Sequence, residues 1–342
     1  MAKQNTQPIK TNTEKIAVIG SNSFSGSSFV RYLLERGHSV RGFSRSQEPD
    51  DIFLPYKWNN HDWERFNFEK TDLNHDLNEI LAVLAEEKPG YIFNFAALGM
   101  VAQSWEKPED WYQTNVVAQV KFHDKIRKYN FIKKYVQITT PEVYGNTEGW
   151  VRESSRFSPS TPYAVSRASC DLHLRSFFET YGFPVVFTRA ANVYGPGQQL
   201  YRIIPRTILC ARLGKKLSLH GGGTSERSFI HINDVADATY RIAKDGILGD
   251  TYHISTRETI SIRNLVKKIC QLLRVDFTDI VKESEERLGK DQSYKLDTTK
   301  IRRELSWQDT IDLEQGIKST IAWVDRNLDL LRNLPGEYIH KA

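Results

Sequence analysis

An α/β fold, with a doubly wound, mainly parallel sheet and a smaller mixed α/β lobe, is what the sequence predicts. Three features carry that expectation. Short apolar runs alternate with amphipathic segments as far as Thr188, a glycine-bearing turn joins the first run to the first amphipathic segment, and the rhythm breaks after Asn192. Parallel strands need long crossovers, usually helical, and alternation at this spacing is their signature.

Ile16–Ile19 reads as the first strand and runs into Gly20-Ser21-Asn22-Ser23-Phe24-Ser25-Gly26. Phe29, Val30, Leu33 and Leu34 recur at helical spacing within Ser27–Arg36, and Gly37 stops that helix. Ser39–Phe43 is a second strand, and a tryptophan-rich insertion separates it from a third, Phe66–Phe68. Leu77–Glu87 is helical, and Tyr91–Phe95 is a buried strand ending in Ala96-Ala97. Trp111–Tyr129 is a long helix, Tyr135–Thr139 a fifth strand, Pro162–Tyr181 a helix opened by its proline, and Val185–Thr188 a sixth strand. Beyond Asn192 the elements shorten. Ser228–Ile232 and Thr251–Ile254 are expected to return to the large sheet as strands, with helices over Ser261–Leu273 and Leu313–Leu331. The expected organisation is a loose tail over residues 1–14 and a dinucleotide-binding (Rossmann) domain over 15–190 that takes back 228–254. Residues 191–227 and 255–342 would form the smaller lobe.

The chain has 342 residues, enough for two lobes, with 39% hydrophobic and 26% charged residues. Its net charge of +5 comes from 47 basic against 42 acidic residues, well mixed along the chain. So mild a bias argues against nucleic acid as a partner and suits a small phosphate-bearing ligand; Lys133-Lys134 and Lys267-Lys268 read as solvated faces. Cys170, Cys210 and Cys270 are too far apart for metal or redox spacing, so reduced thiols and no metal site are expected. The first 14 residues are polar, and no apolar run approaches a membrane span, which points to the cytoplasm.

Gly20 and Gly26 flank a strand-to-helix turn, where a missing Cβ lets the backbone approach a pyrophosphate and the helix N-terminus favours its charge. Ser23 takes the place of the usual middle glycine, and Phe24 follows it. After the second strand the chain reads Ser44-Arg45, with no acid before Glu48. An acid there would accept the ribose hydroxyls of NAD, whereas a cation admits the 2′-phosphate of NADP, so Arg45 favours NADP over NAD. Asp72, Ala96 and Ala97, beyond the third and fourth strands, are expected to complete the cofactor site.

Tyr163 and Arg167 lie four residues apart and share a helix face. A fixed cation favours the phenolate, and bringing a tyrosine from about pH 10 to about 7 takes about 4 kcal/mol of such help. A tyrosinate can take a proton from a sugar hydroxyl while a nicotinamide takes the hydride. Thr140 and Glu142 follow the fifth strand, and residues at the carboxyl ends of parallel strands face the ligand crevice. Thr140 can hydrogen-bond a reacting hydroxyl, and Glu142 can act as acid or base.

The Gly20 loop, Thr140-Pro141-Glu142-Val143-Tyr144-Gly145, Tyr163 with its cation, and Asn192-Val193-Tyr194-Gly195-Pro196 together resemble an extended short-chain dehydrogenase/reductase. The resemblance is to the nucleotide-sugar epimerase/dehydratase branch over roughly Lys15 to Trp307, and dTDP-glucose 4,6-dehydratases are its closest likeness. Ile204-Pro205, Arg227 to Val235 and Arg287 to Tyr294 support it. It implies that Tyr163 oxidises C4 of the sugar with a tightly bound NAD or NADP, held in part by Tyr163 and Arg167. Thr140 would polarise the C4 oxygen and Glu142 remove the C5 proton. Water would leave from C6, and hydride would return there. Arg227 would pair with the diphosphate of a nucleotide-diphosphate sugar, and Asn192, Arg202, Ile204, Arg287 and Lys290 would complete the substrate site. A homodimer through a four-helix bundle is also implied.

Two positions depart from that pattern. The usual lysine four residues after the tyrosine is Arg167, and the aspartate usual between the Thr and the Glu is Pro141, which cannot donate a proton. GDP-mannose 4,6-dehydratases are similar in keeping the Glu without that Asp. A 4-epimerase, a UDP-glucuronate decarboxylase and a catalytically silent nucleotide-sugar binder remain as alternatives.

Overall fold

The computed structural model describes residues 14–58, 63–147, 149–284 and 295–340. Its centre is a seven-stranded, all-parallel sheet of β1 (Lys15–Ile19), β2 (Ser39–Ser44), β3 (Phe66–Lys70), β4 (Tyr91–Asn94), β5 (Lys134–Thr139), β6 (Val185–Ala190) and β7 (Thr251–Ile254). The spatial order is β7-β6-β5-β4-β1-β2-β3. The order reverses beside β1, and ligands of open α/β sheets bind at the carboxyl ends of the strands at such a switch point.

Alternate residues of the strands feed two cores. Ile16 and Val18 of β1 join Val40, Phe93, Val136 and Val186 on one face, under α1 (Phe24–Leu34). Ala17 and Ile19 join Ile92, Tyr135 and Val185 on the other, under α2 (Leu77–Glu87) and the helices after β4 and β5. Coverage on both faces explains why the strands read as continuous apolar runs.

The first helix begins earlier than periodicity suggested. Ser23 is its N-cap, its Oγ accepting the Gly26 N–H at 3.0 Å. The expected Trp111–Tyr129 helix is a composite of α3 (Pro108–Tyr112), a π-turn (Gln113–Val117) and α4 (Ala118–Ile126). The π-turn brings Asn115 inward. Its side chain accepts the Leu98 N–H at 2.8 Å and donates to the Leu98 carbonyl at 3.1 Å and to Ser166 Oγ at 3.0 Å. Next comes α5 (Pro162–Tyr181), as expected.

One expectation is corrected. Thr251–Ile254 does join the large sheet, pairing with β6, but Phe229–His231 does not. It pairs in parallel with Asn192–Tyr194 in a separate two-stranded sheet. The edge beside β6 is taken by β7, and the intervening chain returns as α7 (Ile232–Asp245), which packs beside α1.

A third core unites α6 (Ile203–Leu213), α8 (Ile262–Leu273) and Leu313–Arg326. The last of these stops at Asn327, so the expected Leu313–Leu331 helix is broken before Leu328–Leu331. The insertion between β2 and β3 reaches this lobe, where Trp323 Nε1 donates to the Ile52 carbonyl at 3.1 Å. Among the described residues no helix is long and apolar enough to cross a membrane.

Candidate active site

At the carboxyl end of β1, Gly20 has φ +83, and a Cβ on it would lie 2.8 Å from the Ala96 backbone nitrogen. A Cβ on Gly26 would collide with the Gly20 carbonyl. Both positions thus need glycine, which leaves the α1 N-terminus open to an anionic ligand. Ser44 Oγ accepts the Asn22 N–H at 2.9 Å and ties the loop to β2. Arg45 follows. Glu48, the first acid beyond it, is engaged by Tyr56 at 2.6 Å and Lys57 at 3.1 Å. Asp72 Oδ1 accepts the Asn74 N–H at 2.8 Å, and the Ala96 N–H donates to Asn94 Oδ1 at 3.1 Å, with Ala97 next in the chain. The cradle fits a dinucleotide.

At the end of β5, Thr140 is extended (φ −135, ψ 146), as the residue before a proline prefers, and Pro141 opens a short 3₁₀ turn to Tyr144. Thr140 Oγ1 accepts the Glu142 N–H at 3.3 Å, and the Thr140 side chain helps to pull the Tyr163 phenol down. Opposite, Thr161 caps α5 by accepting the Ala164 N–H at 3.1 Å, and the Tyr163 N–H donates to Ser104 Oγ at 3.2 Å. Tyr163, Arg167, Glu142, Thr140 and Arg202 therefore share one electrostatic neighbourhood.

Opposing influences act on the Tyr163 phenol. Burial pushes it up, and this outweighs the downward pull that Arg167 exerts as expected; Glu142 adds to the rise, while Thr140 and Arg202 oppose it. Arg167 is itself buried. Its Nη2 donates to the Ile138 carbonyl, and its Nε has no hydrogen-bond partner among the described residues. An unpartnered buried guanidinium N–H one helical turn from Tyr163 suits a ribose or phosphate oxygen.

Asn192 opens the strand paired with Phe229–His231, and Arg227 is buried with its Nη1 on the Glu226 carbonyl at 2.7 Å. Arg202 is exposed at the start of α6, over the Tyr201 ring at 5.4 Å. The Ile204 side chain lies in the third core. Arg287 and Lys290 fall outside the described residues.

Sequence reasoning missed a buried ion pair beneath the Thr139–Tyr144 segment. Asp171 Oδ2 accepts from Arg189 Nη2 at 2.8 Å and from the Thr139 hydroxyl at 2.7 Å. Arg189 Nη1 donates to the Tyr144 hydroxyl at 2.5 Å, which also meets His253 Nε2 at 2.9 Å. Both ends of the Thr139–Tyr144 segment are thus fixed to one pair. Two signals were available: Asp171 continues the four-residue spacing of Tyr163 and Arg167, and Arg189 is a charge inside an apolar strand.

The sheet, glycine cradle and Thr–Tyr–Arg–Glu cluster define an extended short-chain dehydrogenase/reductase of the nucleotide-sugar dehydratase/epimerase class. The description of the GDP-mannose 4,6 dehydratase family matches residues 18–320, and the chain belongs to that family. A dTDP-glucose 4,6-dehydratase of Haemophilus influenzae is 31% identical over 90% of this chain and 97% of the relative. Among solved structures, a dTDP-glucose 4,6-dehydratase from Streptomyces venezuelae with NAD bound is similar at a TM-score of 0.85 and 28% identity, covering 92% of this chain and 98% of that one. A UDP-glucose 4-epimerase from Thermotoga maritima, solved with UDP-glucose, is similar at 0.83 and 25%, covering 92% and 99%.

Proposed function

We propose that this enzyme is a nucleotide-sugar 4,6-dehydratase, acting on a nucleoside-diphosphate hexose with NADP, or NAD, retained in the site. The observation that carries the reading is Glu142 on the same short turn as Thr140, both of them in the electrostatic surroundings of the Tyr163 phenol. An epimerase needs the Thr–Tyr pair but no carboxylate beside it. The nicotinamide, when bound, accepts a hydride from C4 and returns one to C6.

The protein's own groups move the protons. Tyr163 takes the proton of the C4 hydroxyl, and Thr140 holds the oxygen in line. The new ketone acidifies the C5 proton, which Glu142 removes. Pro141 has no proton to give, so Glu142 hands that proton to the departing C6 hydroxyl, which leaves as water, and C5 regains a proton from solvent through Glu142 as C6 gains the hydride. Arg227 and Arg202 are proposed to hold the diphosphate, Arg227 as a buried fork and Arg202 from the rim. Arg45 in place of an acid supports NADP.

Glu142→Gln keeps size and hydrogen bonding but removes basicity. It is expected to oxidise C4 yet form no 6-deoxy product, with reduced cofactor accumulating and C5 exchange with heavy water abolished. Mass and NMR analysis of single-turnover products checks this. Unimpaired C5 exchange in the variant removes Glu142 from the mechanism, and a parent protein that inverts C4 without exchanging C5 is an epimerase.

A homodimer is proposed on α5 and the composite helix of α3, the π-turn and α4, where Leu172, Tyr112 and Val117 are exposed. Light scattering at micromolar concentration is expected to give twice the chain mass, and Leu172→Glu to give monomers. A monomeric parent refutes the assignment.

A further inference from the structure

The C-terminal segment, beyond the residues matched by the family description, does not stay with the smaller lobe. Glu337 pairs with Arg206 of α6, and the Tyr338 ring meets Tyr201 edge-on at 5.4 Å. Two residues on, His340 Nε2 reaches Asp110 Oδ2 at 2.7 Å, and its ring stacks on Trp111 at 4.9 Å and 14°. Asp110 and Trp111 belong to α3, on the dinucleotide-binding side. The chain is thus strapped from one lobe to the other.

Its path is informative. Tyr201, which the Tyr338 ring meets, immediately precedes Arg202 at the start of α6, and His340, two residues beyond Tyr338, lies against α3. The strap therefore crosses from the rim beside Arg202, proposed above to hold the diphosphate, to the dinucleotide-binding side. Ile339 is 63% exposed, so the segment is not held there by burial of its own apolar side chain. The polar and aromatic contacts at Glu337, Tyr338 and His340 hold it.

We infer that the segment Gly336–His340 forms an outer wall of the ligand cleft, with Tyr338 a ligand-binding residue between the cofactor and the nucleotide-diphosphate ends of the site. The Tyr338 hydroxyl meets His340 Nδ1 at 3.3 Å, a long contact that it can exchange for a phosphate or ribose oxygen, and its ring can cover an apolar edge of either ligand. Leaving the cleft then requires the strap to lift from Asp110 and Trp111, so the wall slows dissociation more than it slows encounter.

Binding, not turnover, tests this, so the outcome does not depend on the dehydratase chemistry. The full-length protein is compared with a chain ending at Leu334, with Tyr338→Ala, and with His340→Ala. NADPH, NADH and a free nucleoside diphosphate are titrated by fluorescence, and cofactor release is timed by stopped flow. Tyr338→Ala and the shortened chain are expected to bind at least one of these ligands about tenfold more weakly. His340→Ala is expected to speed release with a smaller loss of affinity. Affinities and release rates equal to those of the parent protein in Tyr338→Ala and His340→Ala overturn the inference, whether or not the shortened chain folds. Should these binding constants stand while Glu142→Gln still abolishes C5 exchange, the strap fails and the dehydratase reading survives.

Discussion

Tyr163→Phe is expected to fold and bind cofactor like the parent protein while its turnover falls by about 10²–10⁴-fold. Only one hydroxyl is removed, and the backbone anchors of the residue, its N–H on Ser104 Oγ and the Thr161 cap, are untouched. The pH profile sharpens the test. Burial places the phenol above its ordinary range in the protein, so the ionised form that accepts the C4 proton gains population as pH rises. The parent's oxidation rate should therefore climb on the alkaline side, and the residual rate of Tyr163→Phe should lack that limb. Single-turnover reduction of the cofactor, followed by absorbance across pH, reads both quantities. A variant with the parent's rate and profile removes Tyr163 from proton transfer.

Arg189→Met is expected to cost about 3–5 kcal/mol of stability, because it strands the Asp171 carboxylate in a dry interior. Arg189 is 1% exposed and Asp171 3%, so water cannot replace the lost partner. The Thr139 hydroxyl alone would remain on Asp171 Oδ2, and Tyr144 would lose one of its anchors. Removing both charges, as in Asp171→Leu with Arg189→Met, should cost less than the sum of the single changes, since no uncompensated charge is left. Urea denaturation of the four proteins measures this coupling. Strict additivity would mean that the pair contributes nothing as a pair. Activity in the double variant should remain low even if stability recovers, because Thr139 and Tyr144 bracket Thr140 and Glu142.

Much of the site was legible because it follows local rules. Tyr163 and Arg167 are linked by helical spacing, Gly20 and Gly26 by a turn that forbids a Cβ, and Thr140 by the extended backbone that Pro141 favours. The strand sequence through Val185–Ala190 could be read for the same reason. What escaped was set by distant partners. Nothing near Phe229 indicates that Asn192–Tyr194, rather than the large sheet, takes its backbone hydrogen bonds. Nothing near His340 indicates an acceptor 230 residues away. The upward displacement of Tyr163 belongs with these, since it depends on how much of the fold closes over the phenol, not on the cation four residues along.

The π-turn at Gln113–Val117 bears on which insertions and deletions the chain can survive. An α-helix advances about 100° per residue, and a π-turn absorbs one residue without that advance. Deleting one residue from 113 to 117 would therefore restore ordinary helical winding and leave α3 and α4 in phase. Trp111, now 0% exposed, would keep its seat, whereas Asn115 would lose the bulge that brings it to Leu98 and Ser166. The extra residue at this point thus serves the Asn115 contacts rather than the phase of the helix, and a single-residue deletion should remove those contacts while sparing the packing of Trp111.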